Sequence, residues 1–303
     1  MSSASAATAP RDLRGPALAV AAGILFGVVV IAGKPALGGD LPFDLLAWRF
    51  GGTCLGLAVV AVATRRPLLL VPGERLPILA AGSFGYGVEA SLFFAALNHG
   101  SAAAVTLLFY TYPVYTMLIA LLTKRLPHGR PLWLALVLAM AGVVVLVAGG
   151  ESIAIEAVGV ALALSCALAF TLYLTLTDLA LRRSNPLSAG IWLSGGASAF
   201  CFTAAFVTGT FAVPSGWDGW GPIVVMAAAT AGAFVCMLAA IQRIGAVRTA
   251  IICVFEPLSV AVLGAVWLDE PLTVTIVVGG VLILLGAVLS TQVRGERVVE
   301  PDL

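Results

Sequence analysis

The chain repeats itself at a fixed separation of 144 residues, and this feature limits its fold more than any other. Gly15, Ala17, Leu18, Ala19 and Phe26 recur as Gly159, Ala161, Leu162, Ala163 and Phe170. Ala36, Leu37, Pro42, Trp48, Gly51 and Gly52 recur as Ala180, Leu181, Pro186, Trp192, Gly195 and Gly196. Ala95 and Ala96 return as Ala239 and Ala240, Pro113 and Pro127 as Pro257 and Pro271, and Gly142 as Gly286. One slip, Gly100 against Gly245, is absorbed before Pro113. Each half holds five apolar stretches. An odd number of crossings per half puts the second half into a membrane upside down. Inverted repeats of this kind are a signature of carriers that alternate access about a central site.

Mean hydropathy is +1.08 and only 10% of the 303 residues are charged. One soluble core cannot hide that much apolar surface. The apolar runs are near 20 residues long, the length of a membrane helix, whereas barrel strands would alternate over about ten. The expected fold is therefore an all-α membrane protein with ten transmembrane helices, arranged as two inverted five-helix repeats. The spans are placed at 16–34, 44–63, 76–97, 102–123, 131–148, 157–177, 187–208, 221–242, 248–268 and 272–292. A cytoplasmic tail covers 1–15, the first repeat 16–148, the second 149–292 and a second cytoplasmic tail 293–303. The Ser/Ala-rich start, Met1 to Pro10, suits a disordered tail. Short loops leave no room for a sizeable soluble domain, and no GxxxxGK[ST] phosphate loop is present. The five cysteines stand singly inside spans, so neither a metal site nor a disulfide framework is indicated. No cofactor and no nucleic-acid partner is expected, and a monomer is the simplest assembly because both halves are in one chain.

Fourteen of the sixteen Lys and Arg fall on one side of this scheme: Arg11, Arg14, Arg65, Arg66, Arg75, Lys124, Arg125, Arg130, Arg182, Arg183, Arg243, Arg248, Arg294 and Arg297. The opposite loops carry Asp40, Glu151, Glu156, Asp218, Asp269 and Glu270. The positive-inside rule then puts both termini in the cytoplasm, of a multi-pass protein in the cell (inner) membrane.

The segment Phe255-Glu256-Pro257, followed by Trp267-Leu268-Asp269-Glu270-Pro271-Leu272-Thr273, resembles landmarks of the EamA-type branch of the drug/metabolite transporter superfamily. Tyr110-Thr111-Tyr112-Pro113 and Arg125-Leu126-Pro127 look like their first-half counterparts, and Trp48-Arg49 in span two fits the same pattern. The resemblance runs from about residue 15 to 292. It implies a secondary-active carrier of the inner membrane with a central cavity between the halves, spans five and ten lying outside it.

Charged side chains inside a bilayer are costly and mark functional sites by default. Three positions qualify. Glu89 lies about 12 Å below the outer end of span three, at a rise of about 1.5 Å per residue. Glu256 lies near the midplane in span nine, and Arg49 one to two turns below the outer end of span two. Tyr86, Glu89 and Phe93 stand at i, i+3 and i+7, one helical stripe with two aromatic faces and an ionisable head. Such a stripe suits an ammonium group, held by charge and cation–π attraction, or a coupling proton. The competing reading makes Glu89 a structural partner of Arg49, the ion-pair candidate. Glu256 directly precedes Pro257, which removes a helical hydrogen bond and kinks the chain. It is either a second proton carrier or a brace for that kink. Tyr110 shares a stripe of span four with Thr106 and Pro113, and Tyr173 lies on span six with Thr177. Both tyrosines suit a mixed pocket. Lys34 and Asp178 sit at span ends and are set aside as snorkelling charges. His99 is taken as a solvated ring at the outer mouth. Gly23-xxx-Gly27 and Gly52-xxx-Gly56 are taken as helix-packing motifs.

The substrate-binding candidates are thus Glu89, Tyr86, Phe93, Tyr110, Tyr173 and Glu256, with Glu89 and Glu256 the proton-coupling candidates. No catalytic residue and no metal ligand is assigned: no HExxH, no GxSxG and no pair of intramembrane aspartates occurs. The chain is expected to export a small metabolite such as an amino acid or amine, its partners being that molecule, protons and the lipid bilayer. A multidrug or cationic-compound exporter is the alternative. Phosphorylated or nucleotide-linked sugars fit less well, since Arg49 is the one cation deep in a span. The charge pattern makes a topological prediction. In a background without native cysteines, Glu151→Cys and Asp218→Cys are expected to react with an impermeant maleimide added outside. Arg66→Cys and Arg183→Cys are expected to stay unlabelled, and the reverse pattern would overturn the orientation.

Overall fold

The protein is described from a computed structural model, which covers residues 14–38, 41–122, 155–180, 183–244 and 255–292, with isolated positions between 133 and 145. The expected tails, but for Arg14 and Gly15, and half of span five lie outside the described residues, and span nine is described only from Phe255. Helix dominates, as a chain without water to satisfy its backbone requires. In order come α1 (Arg14–Gly33) with a short 3-10 turn at Lys34–Ala36, α2 (Phe43–Ala63), α3 (Arg75–Ala80), a π-helical turn (Ala81–Gly87) and α4 (Val88–Leu97). Then follow α5 (Ala102–Phe109), α6 (Tyr112–Leu122), α7 (Ala157–Ala180), α8 (Pro186–Thr208), α9 (Gly216–Ile244), α10 (Phe255–Trp267) and α11 (Val274–Gln292).

Helix ends follow local chemistry. Ser101 caps α5 by accepting the Ala104 N–H at 3.2 Å, and Asn185 caps α8 by accepting that of Leu187 at 2.9 Å, with Pro186 in the first helical position. Gly209, at φ +70°, ends α8 in the left-handed conformation that favours glycine. Span four is made of two helices, α5 and α6. It breaks at Tyr110–Thr111, and Pro113 stands in the first turn of α6, where its missing N–H has no intrahelical partner to lose. Pro257 has the same place in the first turn of α10.

Among the described residues, five helical stretches are long and apolar enough to cross a bilayer: Arg14–Ala36, Phe43–Ala63, Arg75–Leu97, Leu187–Thr208 and Gly216–Met237. Ala157–Tyr173, Phe255–Trp267 and Val274–Gly286 are shorter apolar helices. Large apolar side chains such as Leu55, Val59, Phe206 and Val207 point outward, while Arg49, Thr53, Glu89, Thr106 and Thr230 are buried. Polar groups inside and apolar groups outside are the arrangement of a membrane protein.

The repeat reappears in the packing. α1 packs on α9 and α10, and its repeat mate α7 packs on α4 and on α5 and α6. α2 packs against its own mate, α8. The correspondence extends to single atoms. Cys54 Sγ donates to the Ile191 carbonyl at 3.4 Å, and its mate Ser198 donates through Oγ to Ala47, the mate of Ile191, at 3.0 Å. The Trp48 indole donates to the carbonyl of Ala212 at 3.0 Å, and that of Trp192 to Leu68 at 3.2 Å. Each bond becomes the other on adding or subtracting the repeat length.

Glycines allow this contact. Gly52 faces Ala227 and Gly56 faces Ala231, while Gly27 faces Ser259, whose hydroxyl also reaches the Gly23 carbonyl at 3.4 Å. Both glycine pairs are therefore packing motifs, as in close membrane helix crossings. A side chain at Gly82 would collide with the backbone of Leu193, whereas Gly38 faces open space. Gly82→Leu is accordingly expected to destabilise the protein by about 1–3 kcal/mol, the usual cost of overpacking. Gly38→Ala is expected to be neutral. Thermal unfolding in detergent compares the two, and equal melting temperatures would contradict the packing account.

Candidate functional site

The site begins with the π turn. Three of its seven residues, Ala81 to Gly87, are glycine, and each brings the backbone close to a neighbour: Gly82 to Leu193, Gly85 to the Tyr173 side chain and Gly87 to Phe200. Ser83 Oγ ties the turn to α8 by donating to the Gly196 carbonyl at 3.0 Å. π turns inside helices recur at functional sites. Here Tyr86 lies at the end of the turn and Glu89 at the start of α4. The stripe expected for a regular helix is thus built over a locally widened one, and Tyr86, Glu89 and Phe93 are all buried.

Glu89 is 6% exposed and Arg49 4%, so both are held in protein rather than lipid. They form no ion pair with each other in this conformation. The Arg49 Nε donates to Thr230 Oγ1 at 3.3 Å, and its guanidinium lies over the rings of Phe50 and Phe94, 4.7 and 5.3 Å from their centres. Rings and a hydroxyl stabilise the cation where the carboxylate was expected to do so. Glu89 instead has Cys166 Sγ 3.6 Å from Oε1, the same sulfur lying 3.4 Å from the Glu89 carbonyl. Arg49 and Glu256 are near enough for their charges to act on Glu89.

Glu256 comes from the other half. Its Oε2 accepts the Tyr110 hydroxyl at 3.0 Å, a bond between the residue that closes α5 and the first turn of α10. The break at Tyr110–Thr111 places that hydroxyl. Ser259 Oγ donates to the Glu256 carbonyl at 2.7 Å.

Aromatic rings join the two acids. Tyr86 stacks on Tyr173 with centres 5.4 Å apart, and Tyr173 meets Phe170 at 5.7 Å. Phe170 meets Phe109 edge-on at 5.0 Å, and Phe109 contacts both Phe93 at 5.6 Å and Tyr110 at 5.9 Å. The structure thus brings Tyr86, Glu89, Phe93, Tyr110, Tyr173 and Glu256 together, with residues of both halves in one ring chain. Such ring pairs contribute about 0.5–1.5 kcal/mol each beyond burial. Thr106, one turn before Tyr110 on the same helix face, buries a hydroxyl with no hydrogen-bond partner among the described residues.

Cys166, Phe109, Phe170 and Thr230 were not singled out in the sequence. Cys166, Phe170 and Tyr173 stand at i, i+4 and i+7, so the stripe that marks Tyr173 also marks the other two. Two further expectations change. Lys34 does not snorkel to water: its Nζ is 2.7 Å from Glu270 Oε1. His99 is not merely solvated, since Nδ1 lies 3.0 Å from Glu156 Oε2. The side chain of Asp178 is outside the described residues. Among the described residues, no three His, Cys, Asp or Glu side chains group closely enough to hold a metal ion.

An apolar exterior, two interlocked halves and buried charges where they meet define a membrane transporter made of two repeats. The model of the EamA-like transporter family matches the chain twice, over residues 13–148 and 157–292, and the chain belongs to that family. No curated protein sequence matches it. Among solved structures it is similar to a protein crystal structure at 19% identity and a TM-score of 0.64, over 91% of this chain and 95% of that one. That likeness is one of fold.

The bond between halves is open to a double-mutant cycle. Tyr110→Phe and Glu256→Gln are expected to be coupled, their combined effect on stability differing from the sum by about 0.5–3 kcal/mol. Additive shifts in detergent unfolding would show that the two side chains act independently.

Proposed function

We propose that this protein is a secondary-active carrier with ten spans in two inverted repeats, exporting a small amine or amino acid across the inner membrane. The observation that carries the reading is the meeting of Glu89, from the first half, and Glu256, from the second, in one aromatic chain joined across the halves by the Tyr110 hydroxyl. An ammonium group is complementary to this chemistry. It donates to a carboxylate and to the buried Thr106 hydroxyl oxygen, and gains cation–π attraction from Tyr86 and Tyr173. A cationic drug would use the same groups, and its export is the second reading. Among the described residues the ring-packed Arg49 guanidinium is the one cation at the site, which disfavours phosphorylated cargo.

The mechanism follows from the cost of charge in a low-dielectric interior. Each acid must be paired, wet or protonated. A proton and a cationic substrate that satisfy the same carboxylate exclude one another, and that exclusion couples their movements. The paired helices then exchange roles: α1 against α9 and α10 opens one face, and α7 against α4 and α5 opens the other. Binding shifts this equilibrium only by the difference in affinity for the two states, so the acids must be bonded differently in each. The Tyr110–Glu256 hydrogen bond is one contact that a substrate ammonium would replace.

Export into inverted vesicles, measured against pH, tests the proposal. If the acids carry the coupling proton, Glu89→Gln or Glu256→Gln uncouples transport from the proton gradient while part of substrate exchange survives. If Glu256 only ties the start of α10 to Tyr110, its Gln variant lowers stability and leaves the pH profile of the remaining transport unchanged. A wild-type pH profile in both variants would remove both residues as proton carriers.

A further inference from the structure

α5 and α10 belong to opposite halves and are joined at both ends. At the site end the Tyr110 hydroxyl holds Glu256. At the other end Glu270, three residues beyond α10, accepts the Ala102 N–H at the start of α5, with both carboxylate oxygens at 2.9 Å. Lys34 completes this second junction. Its Nζ lies 2.7 Å from Glu270 Oε1 and donates to the Gly100 carbonyl at 2.6 Å. The carboxylate therefore has a cation on one side and the positive end of a helix on the other. Glu270 reaches this place through a tight turn. Asp269 adopts φ +52°, a left-handed conformation that an ordinary side chain rarely takes, and the Glu270 N–H donates back to the Gly264 carbonyl at 3.2 Å. The Lys34 and Glu270 side chains are 24% and 11% exposed, so water screens the pair little.

The repeat does not copy this pair. The positions matching Lys34 and Glu270 in the other half are Asp178 and Leu126. Neither residue repeats the charge of its mate, so the two halves differ in chemistry at this position.

We infer that Lys34, Glu270 and the Ala102 amide form an ion-pair latch that closes the α5–α10 seam at one mouth of the protein. Opening that mouth requires Glu270 to leave Ala102 and Lys34 together. The latch therefore biases the carrier toward the state closed at that end, the end that the charge pattern puts outside. This rests on the transporter reading for its purpose, but the latch itself is tested without any cargo.

Spin labels at Gly38→Cys and Leu272→Cys, in a chain whose native cysteines are replaced by serine, report the width of this mouth by pulsed electron resonance. Lys34→Gln keeps a donor for Gly100 and leaves Glu270 on the helix end, so the fold is retained. Glu270→Gln keeps an acceptor for Ala102 but loses the charge. Both are expected to show a second, longer distance absent from the parent, and Lys34→Arg, which keeps the ion pair, is expected to show the parent distance alone. Unchanged distances in Lys34→Gln would overturn the latch and leave a structural staple, whatever happens to the melting temperature. A longer distance in Lys34→Arg as well would overturn it too, since the charge would then not be the cause. A failed export assay leaves these distances unaffected, so it counts against the transporter reading alone.

Discussion

The rest of this structure depends on how closely α2 and α8 approach. The attraction between membrane helices cannot come from escaping water, since lipid chains are as apolar as leucine. Contact has to come from small residues that let backbones meet and from hydrogen bonds that lipid cannot supply. Gly51 and Gly195 do the first: a side chain on either would meet Ser198 or Cys54 across the seam. Those same two side chains do the second, each donating to a carbonyl of the facing helix. Because the two helices are repeat mates, every gain is made twice. The seam fixes the axis about which α1 meets α9, and α7 meets α4.

That axis explains where the charges go. Arg49 leaves α2 only four residues before Thr53, which hydrogen-bonds the Arg49 and Ala227 carbonyls. Its guanidinium turns inward onto Thr230 and the rings of Phe50 and Phe94. Glu89 follows the π turn that Gly82 and Gly196 press against α8. The site is thus a by-product of the packing in its position, though not in its chemistry.

Much of this was legible in the residues. The repeat gives two halves, hydropathy gives helices, and intramembrane charge singles out Glu89, Glu256 and Arg49. These are one-dimensional signals, and burial in a membrane leaves few alternatives. What stayed hidden depends on partners distant in sequence. Arg49 and Glu89 look like a pair because both are charged and at similar depth. The direct contacts of Arg49 are with Thr230 and the rings of Phe50 and Phe94, and rings leave no charge pattern to follow. The π turn was invisible because glycine-rich sequence permits many backbones, and contact with Leu193 and Tyr173 selects one. Lys34 looked solvated because a lysine at a helix end usually is. Its partner lies 236 residues away, beyond a turn that Asp269 bends into an uncommon conformation.

The two halves share a scaffold but not a set of polar groups. With identical halves, the states open to either side would be mirror images of equal energy; unequal halves bias which state the empty protein occupies, while gradients set the direction of net movement. Here Tyr112 stands where Glu256 does in the repeat, Ala233 where Glu89 does, and Leu126 where Glu270 does. Each substitution removes a carboxylate from one half alone. Small residues at the seam are kept in both copies because the axis needs both. Acids are kept in one because two carboxylates facing their own images would leave one pair too many to satisfy in a low-dielectric core. Symmetry in the packing makes the exchange of states possible, and its absence among the acids gives those states unequal energies.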